Sequence, residues 1–293
     1  MKRCLVVGIG LIGGSFALRL KELGLCSEVV GCDRSEAHLE TALRRGLIDR
    51  TATLEEGAAG AELIVLATPV DTLPLLAVKA LNRVGDHQVV IDMGSTKGEL
   101  CEVIAQHRNR RRFVATHPMW GTEHSGPEAA VEGAFKGRKA VICNASESDP
   151  EAVAFVERLY GALGMECLYM EAEEQDLHTA YVSHISHISS FALALTVLEK
   201  ERETQHIFDL AGGGFESTVR LAKSKAETWI PILLQNKYNI LDVLREHIHQ
   251  LNLLRRMLER DDEAGLREAI VRANGVKRIL NEEFGQPAAP HAK

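Results

Sequence analysis

The 293-residue sequence lacks the features that mark several specialised classes of protein. Its six cysteines form no CxxC pair and several lie in apolar runs, so we expect neither a disulfide framework nor a metal site. The N-terminus passes from Met1 directly into an apolar strand, unlike a signal peptide, and no apolar run approaches membrane-spanning length. These absences predict a cytoplasmic protein without a membrane partner.

An excess of positive charge is also missing. The formal net charge is −7, and the one basic cluster, residues 108–112, is too short to indicate a nucleic-acid site. Hydrophobic residues make up 45% of the chain and charged residues 26%, as in a globular protein with a substantial core. We therefore expect no nucleic-acid partner.

The first half of the chain alternates short apolar runs with helical patterns. The runs lie at residues 4–7, 29–32, 63–66, 89–91, 113–115 and 140–142. Runs rich in Val and Ile without polar alternation are typical of strands buried on both faces. Their alternation with helices predicts an α/β fold, in which residues 1–170 form a Rossmann-type, doubly wound and mainly parallel sheet that binds a dinucleotide.

The second half has a helical rhythm. Neither Gly nor Pro occurs from Ala172 to Leu210, and apolar residues recur there at helical spacing. We expect an all-helical domain over residues 171–282, followed by a flexible tail over residues 283–293. Wide apolar helix faces are usually buried against a partner, so this domain is expected to form a homodimer.

A glycine motif follows the first apolar run. Gly8, Gly10 and Gly13 form GxGxxG between a predicted strand and a predicted helix, and Asp33 ends the second strand about twenty residues later. Such a loop brings a helix N-terminus to the pyrophosphate of a dinucleotide, and the acid binds the ribose hydroxyls. The motif predicts a nicotinamide cofactor, with a flavin site or a degenerate Rossmann fold as alternatives.

Neighbouring residues refine the predicted cofactor site. Leu11 and Ile12 open the helix whose N–H groups would face the phosphates. A carboxylate at the ribose repels a 2′-phosphate, so Asp33 favours NAD over NADP. The adjacent Arg34 is evidence in the other direction, because an arginine at this point can bind the 2′-phosphate of NADP. Thr68 and Pro69 follow the third strand and complete the expected site.

Three later loops should meet at one edge of the sheet, because ligands of doubly wound sheets bind outside the carboxyl ends of the strands. The loops are residues 67–70, 92–98 and 116–118. His117 would then lie at the nicotinamide, where an imidazole with an ordinary pKa of about 6.5 suits general-base catalysis. Ser95 would hydrogen-bond the imidazole, and Thr122 and Glu123 would lie beside it.

Several stretches of the sequence resemble the prephenate dehydrogenases, which include the arogenate dehydrogenases. The matching stretches are GIGLIGGS at 8–15, DMGSTKG at 92–98, HPMWGTEHSGPE at 117–128, SHISH at 183–187, GGGFESTVR at 212–220 and Trp229. The resemblance implies oxidative decarboxylation of prephenate to 4-hydroxyphenylpyruvate with NAD(P), on the way to tyrosine. It also implies that His117 takes the proton of the ring hydroxyl, that Ser95 orients His117, and that the enzyme is a homodimer.

The resemblance implies four substrate contacts as well. Thr122 and Glu123 line the pocket, with Glu123 as a gate, His187 lies near the substrate side chain, and Arg220 pairs with a substrate carboxylate. Some relatives carry Lys-Asp where residues 216–217 are Glu-Ser, and this departure leaves prephenate and arogenate open as substrates.

Two other functions remain as alternatives. A β-hydroxyacid dehydrogenase of the 6-phosphogluconate type shares the two-domain plan, but it normally carries a catalytic Lys on the first long helix of its second domain. Here that helix has no Lys before Lys200. A non-enzymatic NAD sensor would not need His117, Ser95 and Arg220 together.

Overall fold

The computed structural model of the protein describes residues 1–283. The flexible tail expected over residues 283–293 lies outside the described residues, apart from residue 283 itself. The chain divides into two compact units, residues 1–240 and a second unit that begins at residue 241. The helices from 172 to 240 belong to the same unit as the sheet, so the domain boundary expected at 170/171 stays a prediction.

An eight-stranded sheet forms the centre of the first unit. In chain order its strands are β1 (Arg3–Val7), β2 (Glu28–Cys32), β3 (Arg50–Thr51), β4 (Leu63–Leu66), β5 (Val89–Asp92), β6 (Phe113–Pro118), β7 (Lys139–Cys143) and β8 (Glu166–Met170). Their spatial order is β3-β2-β1-β4-β5-β6-β7-β8, and every neighbouring pair is parallel except β6 and β7. The predicted doubly wound, mainly parallel sheet is confirmed.

Ten helices in the described part of residues 1–240 accompany this sheet. They are α1 (Leu11–Glu22), α2 (Glu36–Arg44), α3 (Leu54–Ala58), α4 (Leu73–Leu81), α5 (Gly98–Ile104), α6 (Pro150–Ala162), α7 (Ala172–Thr179), α8 (Ile185–Thr204), α9 (Gly213–Val219) and α10 (Ala226–Gln235). Two buried apolar clusters, one containing Phe16 and Tyr160 and the other Leu73 and Phe113, pack against the strands. Apolar runs such as β4, which is buried at every position, make this layered packing possible.

All regular structure in the described residues beyond 170 is helical, as the second half of the sequence predicts. α7 and α8 are joined by a π turn at Ala180–His184. The chain continues through α11 (Lys237–Glu259), α12 (Glu263–Ala273) and α13 (Val276–Glu283).

The helical run Ala172–Thr204 is 33 residues long and contains an 18-residue window with a mean hydropathy of 1.3, which by length and composition alone is enough to cross a membrane. The expectation that no apolar run approaches that length does not hold for this segment. However, Gln175, Asp176 and His184 within it are buried and hydrogen-bond other segments of the first unit. Such contacts are typical of a helix in a folded domain, so the run gives no independent indication of a membrane span.

Candidate active site

The glycine loop between β1 and α1 has the shape of a dinucleotide cradle. Gly8 has φ +92°, and a Cβ there would lie 2.6 Å from the Ala67 carbonyl oxygen. A Cβ on Gly13 would lie 2.0 Å from the Gly8 carbonyl oxygen, so side chains are excluded where helix and loop touch. In contrast, nothing lies within 4 Å of a Cβ on Gly10. That open space at the start of α1, where no side chain caps the helix, fits a pyrophosphate.

Asp33, at the end of β2, is tied to this loop. Its Oδ2 accepts a hydrogen bond from the Ile9 N–H at 2.8 Å, and its Oδ1 accepts one from the Ser35 N–H at 2.9 Å. His38 Nδ1 lies 3.6 Å from Oδ2, and Arg34 is exposed. The carboxylate therefore braces the loop, and each oxygen retains a lone pair for a ribose hydroxyl.

Thr68 and Pro69 lie beside the same loop, at the end of β4. A Cβ on Gly8 would approach Thr68 Cγ2 to 2.8 Å. The Thr72 hydroxyl lies 2.8 Å from Thr68 Oγ1 and donates to the Pro69 carbonyl at 2.7 Å, which fixes the turn into α4. Thr68, Pro69 and the glycine loop thus share one edge of the sheet.

His117 lies near the end of β6, with its backbone paired to Val141. The side chain is 8% exposed, and its Nδ1 lies 3.2 Å from Gln175 Nε2 on α7. Burial lowers the pKa of His117 to about 3, and Lys97 and His184 act in the same direction. The imidazole is therefore neutral near pH 7, as a general base must be.

The predicted contact between Ser95 and His117 takes a different form. Among the described residues no hydrogen bond joins the Ser95 hydroxyl to the imidazole, because Gln175 takes the place at Nδ1. Ser95 instead contributes its carbonyl oxygen, which accepts a hydrogen bond from Gln175 Nε2 at 3.2 Å. Sequence analysis missed Gln175, since one polar residue on a helix carries no signal of the loop it contacts.

A buried ion pair supports the loop after β5. Lys97 Nζ contacts Asp92 Oδ2, and both side chains are fully buried. Asp92 also accepts hydrogen bonds from the N–H groups of Thr116 and Gly94. Asp176 on α7 accepts hydrogen bonds of 2.8 Å from the N–H groups of Lys97 and Gly98. These bonds fix the loop so that the Lys97 cation lies close to His117, a position that the sequence motif alone does not reveal.

Glu123 and Arg220 meet although they are 97 positions apart. Arg220 Nη1 lies 2.8 Å from Glu123 Oε2, with the two side chains 49% and 19% exposed. A hydrogen bond from its own backbone N–H and the Arg220 guanidinium hold the pKa of Glu123 below its usual range. Thr122 lies next to Glu123, and its hydroxyl oxygen accepts a hydrogen bond from the His124 N–H.

His187 lies against Trp229, with the two rings stacked at a centroid distance of 3.4 Å. Its Nδ1 is 3.1 Å from the Ser183 carbonyl oxygen, so this nitrogen donates and Nε2 is left as an acceptor. Burial lowers the pKa of His187, and it lowers that of the fully buried His184 to about 4. The Ser190 hydroxyl donates to the Thr218 carbonyl at 3.0 Å, which fixes the segment that carries Arg220.

Family models match almost the whole described chain. The model described as "Prephenate dehydrogenase, nucleotide-binding domain" matches residues 16–169, and the model described as "Prephenate dehydrogenase, dimerization domain" matches residues 171–272. The prephenate dehydrogenase of Bacillus subtilis (strain 168) is 32% identical over 269 residues, which are 89% of this chain and 71% of that protein.

Solved structures give the same result. The crystal structure of prephenate dehydrogenase from A. aeolicus in complex with hydroxyphenyl propionate and NAD+ has a TM-score of 0.86 and 30% identity, covering 96% of this chain and 98% of that one. Synechocystis arogenate dehydrogenase has a TM-score of 0.76 and 25% identity, covering 95% and 99% of the two chains.

Proposed function

This chain belongs to the prephenate dehydrogenase family, and on that premise we propose that it oxidises prephenate with NAD, releasing CO₂ and forming 4-hydroxyphenylpyruvate. The observation that carries the proposal is the neutral, buried imidazole of His117 at the edge of the sheet that also carries the glycine loop. A base at this position can take the hydroxyl proton of a substrate bound beside a nicotinamide.

The reaction requires three things from the protein: the correct orientation of the substrate, one base, and cations for the two substrate carboxylates. Bound NAD supplies the acceptor for the hydride that leaves the hydroxyl-bearing ring carbon. His117 takes the hydroxyl proton, so that this carbon becomes a carbonyl conjugated with the two ring double bonds, whose far ends adjoin the ring carbon that carries a carboxylate. The bond to that carboxylate then breaks and CO₂ leaves, while the electron pair of the bond passes through the ring to the carbonyl oxygen, which takes a proton back from His117 to give the aromatic phenol. Aromatisation provides the driving force.

We assign Arg220 to a substrate carboxylate. Its planar guanidinium pairs bidentately with a carboxylate, and a dianionic substrate requires a cation in this net acidic chain. Arg220 is held by Glu123. A substrate carboxylate would compete for the guanidinium, which supports Glu123 as a gate. His187, stacked on Trp229, presents Nε2 to the side chain of the substrate.

The preference for NAD over NADP is part of the proposal. Asp33 lies at the end of β2, where the adenosine ribose of a Rossmann cofactor binds, and its negative charge opposes a 2′-phosphate. Two backbone N–H groups fix the carboxylate in place, so moving it aside to admit a phosphate would break these hydrogen bonds. Arg34 is the residue that an NADP preference would implicate.

Arogenate is the second candidate substrate, and Glu216 is the residue that favours it. Glu216 occupies a position where some relatives carry Lys, and a carboxylate there suits the amine of arogenate. Its side chain is 74% exposed and lies 3.6 Å from Lys223 Nζ, which partly neutralises it. This pairing weakens the preference for an amine, so prephenate is the first choice.

The assembly is proposed to be a homodimer formed through the helical half. Large apolar side chains of α11, among them Leu251 and Leu258, are more than half exposed in the single chain. Exposed apolar surface of this extent is typical of an interface. The match to a model described as a dimerization domain over residues 171–272 supports this proposal. The cytoplasmic location stays a prediction.

One assay tests substrate and cofactor together. Purified protein is given prephenate or arogenate with NAD or NADP, and kcat/KM is measured for the four combinations from the formation of reduced cofactor. The proposal requires the highest value with prephenate and NAD. A higher value with arogenate would move the substrate assignment to Glu216, and a higher value with NADP would move the cofactor assignment to Arg34.

A further inference from the structure

We propose that Gln175 is the positioning residue of His117, and that its side-chain oxygen faces His117 Nδ1 when the enzyme is ready to take a proton. The inference rests on the proposed function, in which His117 is the base. It concerns which of the two imidazole nitrogens carries the proton before the reaction begins.

The contacts of Gln175 place it between two loops of the site. The side chain is 1% exposed, and its Nε2 lies 3.2 Å from both the Ser95 carbonyl oxygen and His117 Nδ1. Thr179 Oγ1, one turn later on α7, is 3.3 Å from the same atom. Among the described residues no other hydrogen bond reaches the His117 imidazole, so Gln175 alone decides the role of Nδ1.

This orientation of the amide does not suit a base. Because the amide nitrogen of Gln175 donates, His117 Nδ1 must accept, and the neutral ring then carries its proton on Nε2. A protonated Nε2 cannot take a proton from the substrate. The same orientation leaves Gln175 Oε1 buried without a hydrogen-bond partner, which is unfavourable.

Turning the amide over exchanges these roles. Gln175 Oε1 then accepts a hydrogen bond from His117 Nδ1–H, and the Thr179 hydroxyl can rotate to donate to the same oxygen. His117 Nε2 is left with a free lone pair towards the substrate. The Ser95 carbonyl then loses its donor, and Gln175 Nε2 occupies the place where Oε1 had no partner, so each orientation leaves at least one buried polar group unsatisfied. The orientation of one amide therefore selects the tautomer of the base.

The charges around His117 explain why an amide suits this position. Lys97, paired with Asp92, faces the ring from the loop after β5, and His184 faces it from the π turn. Asp176, next to Gln175 on α7, is occupied by two backbone N–H groups. A neutral amide can stabilise the tautomer with the proton on Nδ1 without placing a negative charge beside the ring, as a carboxylate would. The pKa of the base therefore stays low, and the imidazole remains unprotonated at neutral pH.

Two substitutions separate the role of the oxygen from that of packing. Gln175→Met keeps the volume and removes both polar atoms, whereas Gln175→Glu keeps two acceptors and removes the donor. Gln88→Met is the matched control, because Gln88 also donates to two carbonyl groups but precedes β5 at the opposite edge of the sheet. For each protein kcat and kcat/KM with prephenate are measured against pH, together with the Kd for NAD and the thermal unfolding temperature.

We expect Gln175→Met to lower kcat about 10–100-fold, the usual loss when the group that orients a functional histidine is removed. Its KM for prephenate and Kd for NAD should change less than about twofold, because the substitution removes a contact to His117 that matters for proton transfer and removes none to either ligand. In Gln175→Glu the carboxylate should raise the pKa of His117, so the acidic limb of kcat/KM moves up by about 1–3 pH units. Above that limb its kcat should exceed that of Gln175→Met at least about tenfold, the size of a recovered orienting contact.

Two results would overturn the inference. Wild-type kcat in a folded Gln175→Met protein would show that Gln175 does not position the base. Equal kcat in Gln175→Glu and Gln175→Met at every pH would show that an acceptor at Nδ1 is not what the reaction requires. Failure of the wild-type protein to oxidise prephenate at all is a different result, which would remove the proposed function first and the inference with it.

Discussion

At the scale of single residues, the site depends on polar side chains held by partners from distant parts of the chain. His117 is held by Gln175 from α7, and Arg220 by Glu123 from the loop after β6. Both pairs join the sheet to the helical segments that follow it. We therefore expect a substrate bound at the edge of the sheet to contact groups from both segments.

Arg220→Ala should raise the KM for prephenate. The substitution removes the cation and leaves Glu123, which is 19% exposed, to repel the incoming carboxylate. Because Arg220 itself is about half exposed, the loss is limited, and we expect KM to rise about 10–100-fold. Lys223→Ala is the matched control, since that lysine is nearby and pairs with Glu216. A larger effect from Lys223→Ala than from Arg220→Ala would assign the carboxylate to Lys223 instead.

The sequence predicts part of this site because some of its residues lie at the ends of recognisable strands. His117 follows a buried strand, and Asp33 ends another, so parallel topology alone brings both to one edge. Arg220 has no such signal and was proposed only from the family resemblance. Gln175 was missed altogether, because its partners, the Ser95 carbonyl and His117, are set by packing between segments.

At the scale of elements, α7 links the parts of the site. Gln175 contacts His117, Asp176 binds the N–H groups at the start of α5, and the Asp176 carbonyl accepts a hydrogen bond from Asn236 Nδ2 at 2.6 Å. Asn236 Nδ2 also lies 3.1 Å from His184 Nδ1. A π turn follows α7 directly, and such turns are frequent at functional sites because they redirect side chains.

Two glycines of the cradle should respond differently to the same substitution. Gly10 has φ −90° and open space around it, so Gly10→Ala should change the free energy of unfolding by less than about 0.5 kcal/mol but block the pyrophosphate. Gly13→Ala places a methyl group 2.0 Å from the Gly8 carbonyl oxygen and should cost about 1–3 kcal/mol of stability.

Chemical denaturation and titration with NAD measure these two effects. We expect the Gly10→Ala protein to unfold like the wild type and to bind NAD at least about tenfold more weakly. A tenfold weaker affinity corresponds to a loss of about 1.4 kcal/mol in the free energy of binding. Wild-type affinity for NAD in the Gly10→Ala protein would place the cofactor elsewhere.

The strands show which elements a sequence can reveal. All six predicted strands are present, because each is an apolar run buried in the sheet. β3 has only two residues, too few to produce a pattern. β8 lies at the edge of the sheet, where all five of its positions are exposed or half-buried, and its four-residue apolar run at 167–170 was not among the predicted strands. The antiparallel pairing of β6 with β7 depends on the path of the intervening loop and was not predicted.

At the scale of the whole molecule, the exposed apolar side chains of α11 predict how two copies assemble. Ile248, Leu251, Leu254 and Leu258 recur at intervals of three and four residues, and each is at least 38% exposed. This spacing places them on one face of the helix.

Leu251→Glu should therefore convert a dimer into a monomer. Burying an unpaired carboxylate in an apolar interface costs several kcal/mol, which exceeds what most interfaces tolerate. Gln250→Glu is the matched control, because the same charge is added at an exposed neighbouring position outside the stripe. Sedimentation equilibrium of both variants measures the effect. A dimer that survives Leu251→Glu unchanged would place the interface on another face.

The central claim is that one site carries out hydride removal, proton removal and decarboxylation with His117 as the base. The most direct test measures the products formed from prephenate and NAD by the wild-type and His117→Asn proteins. We expect equal molar amounts of NADH, CO₂ and 4-hydroxyphenylpyruvate from the wild type, and a kcat about 10²–10⁴-fold lower in the variant at an unchanged Kd for NAD. NADH formed without CO₂, or a His117→Asn protein with wild-type kcat, would contradict the account.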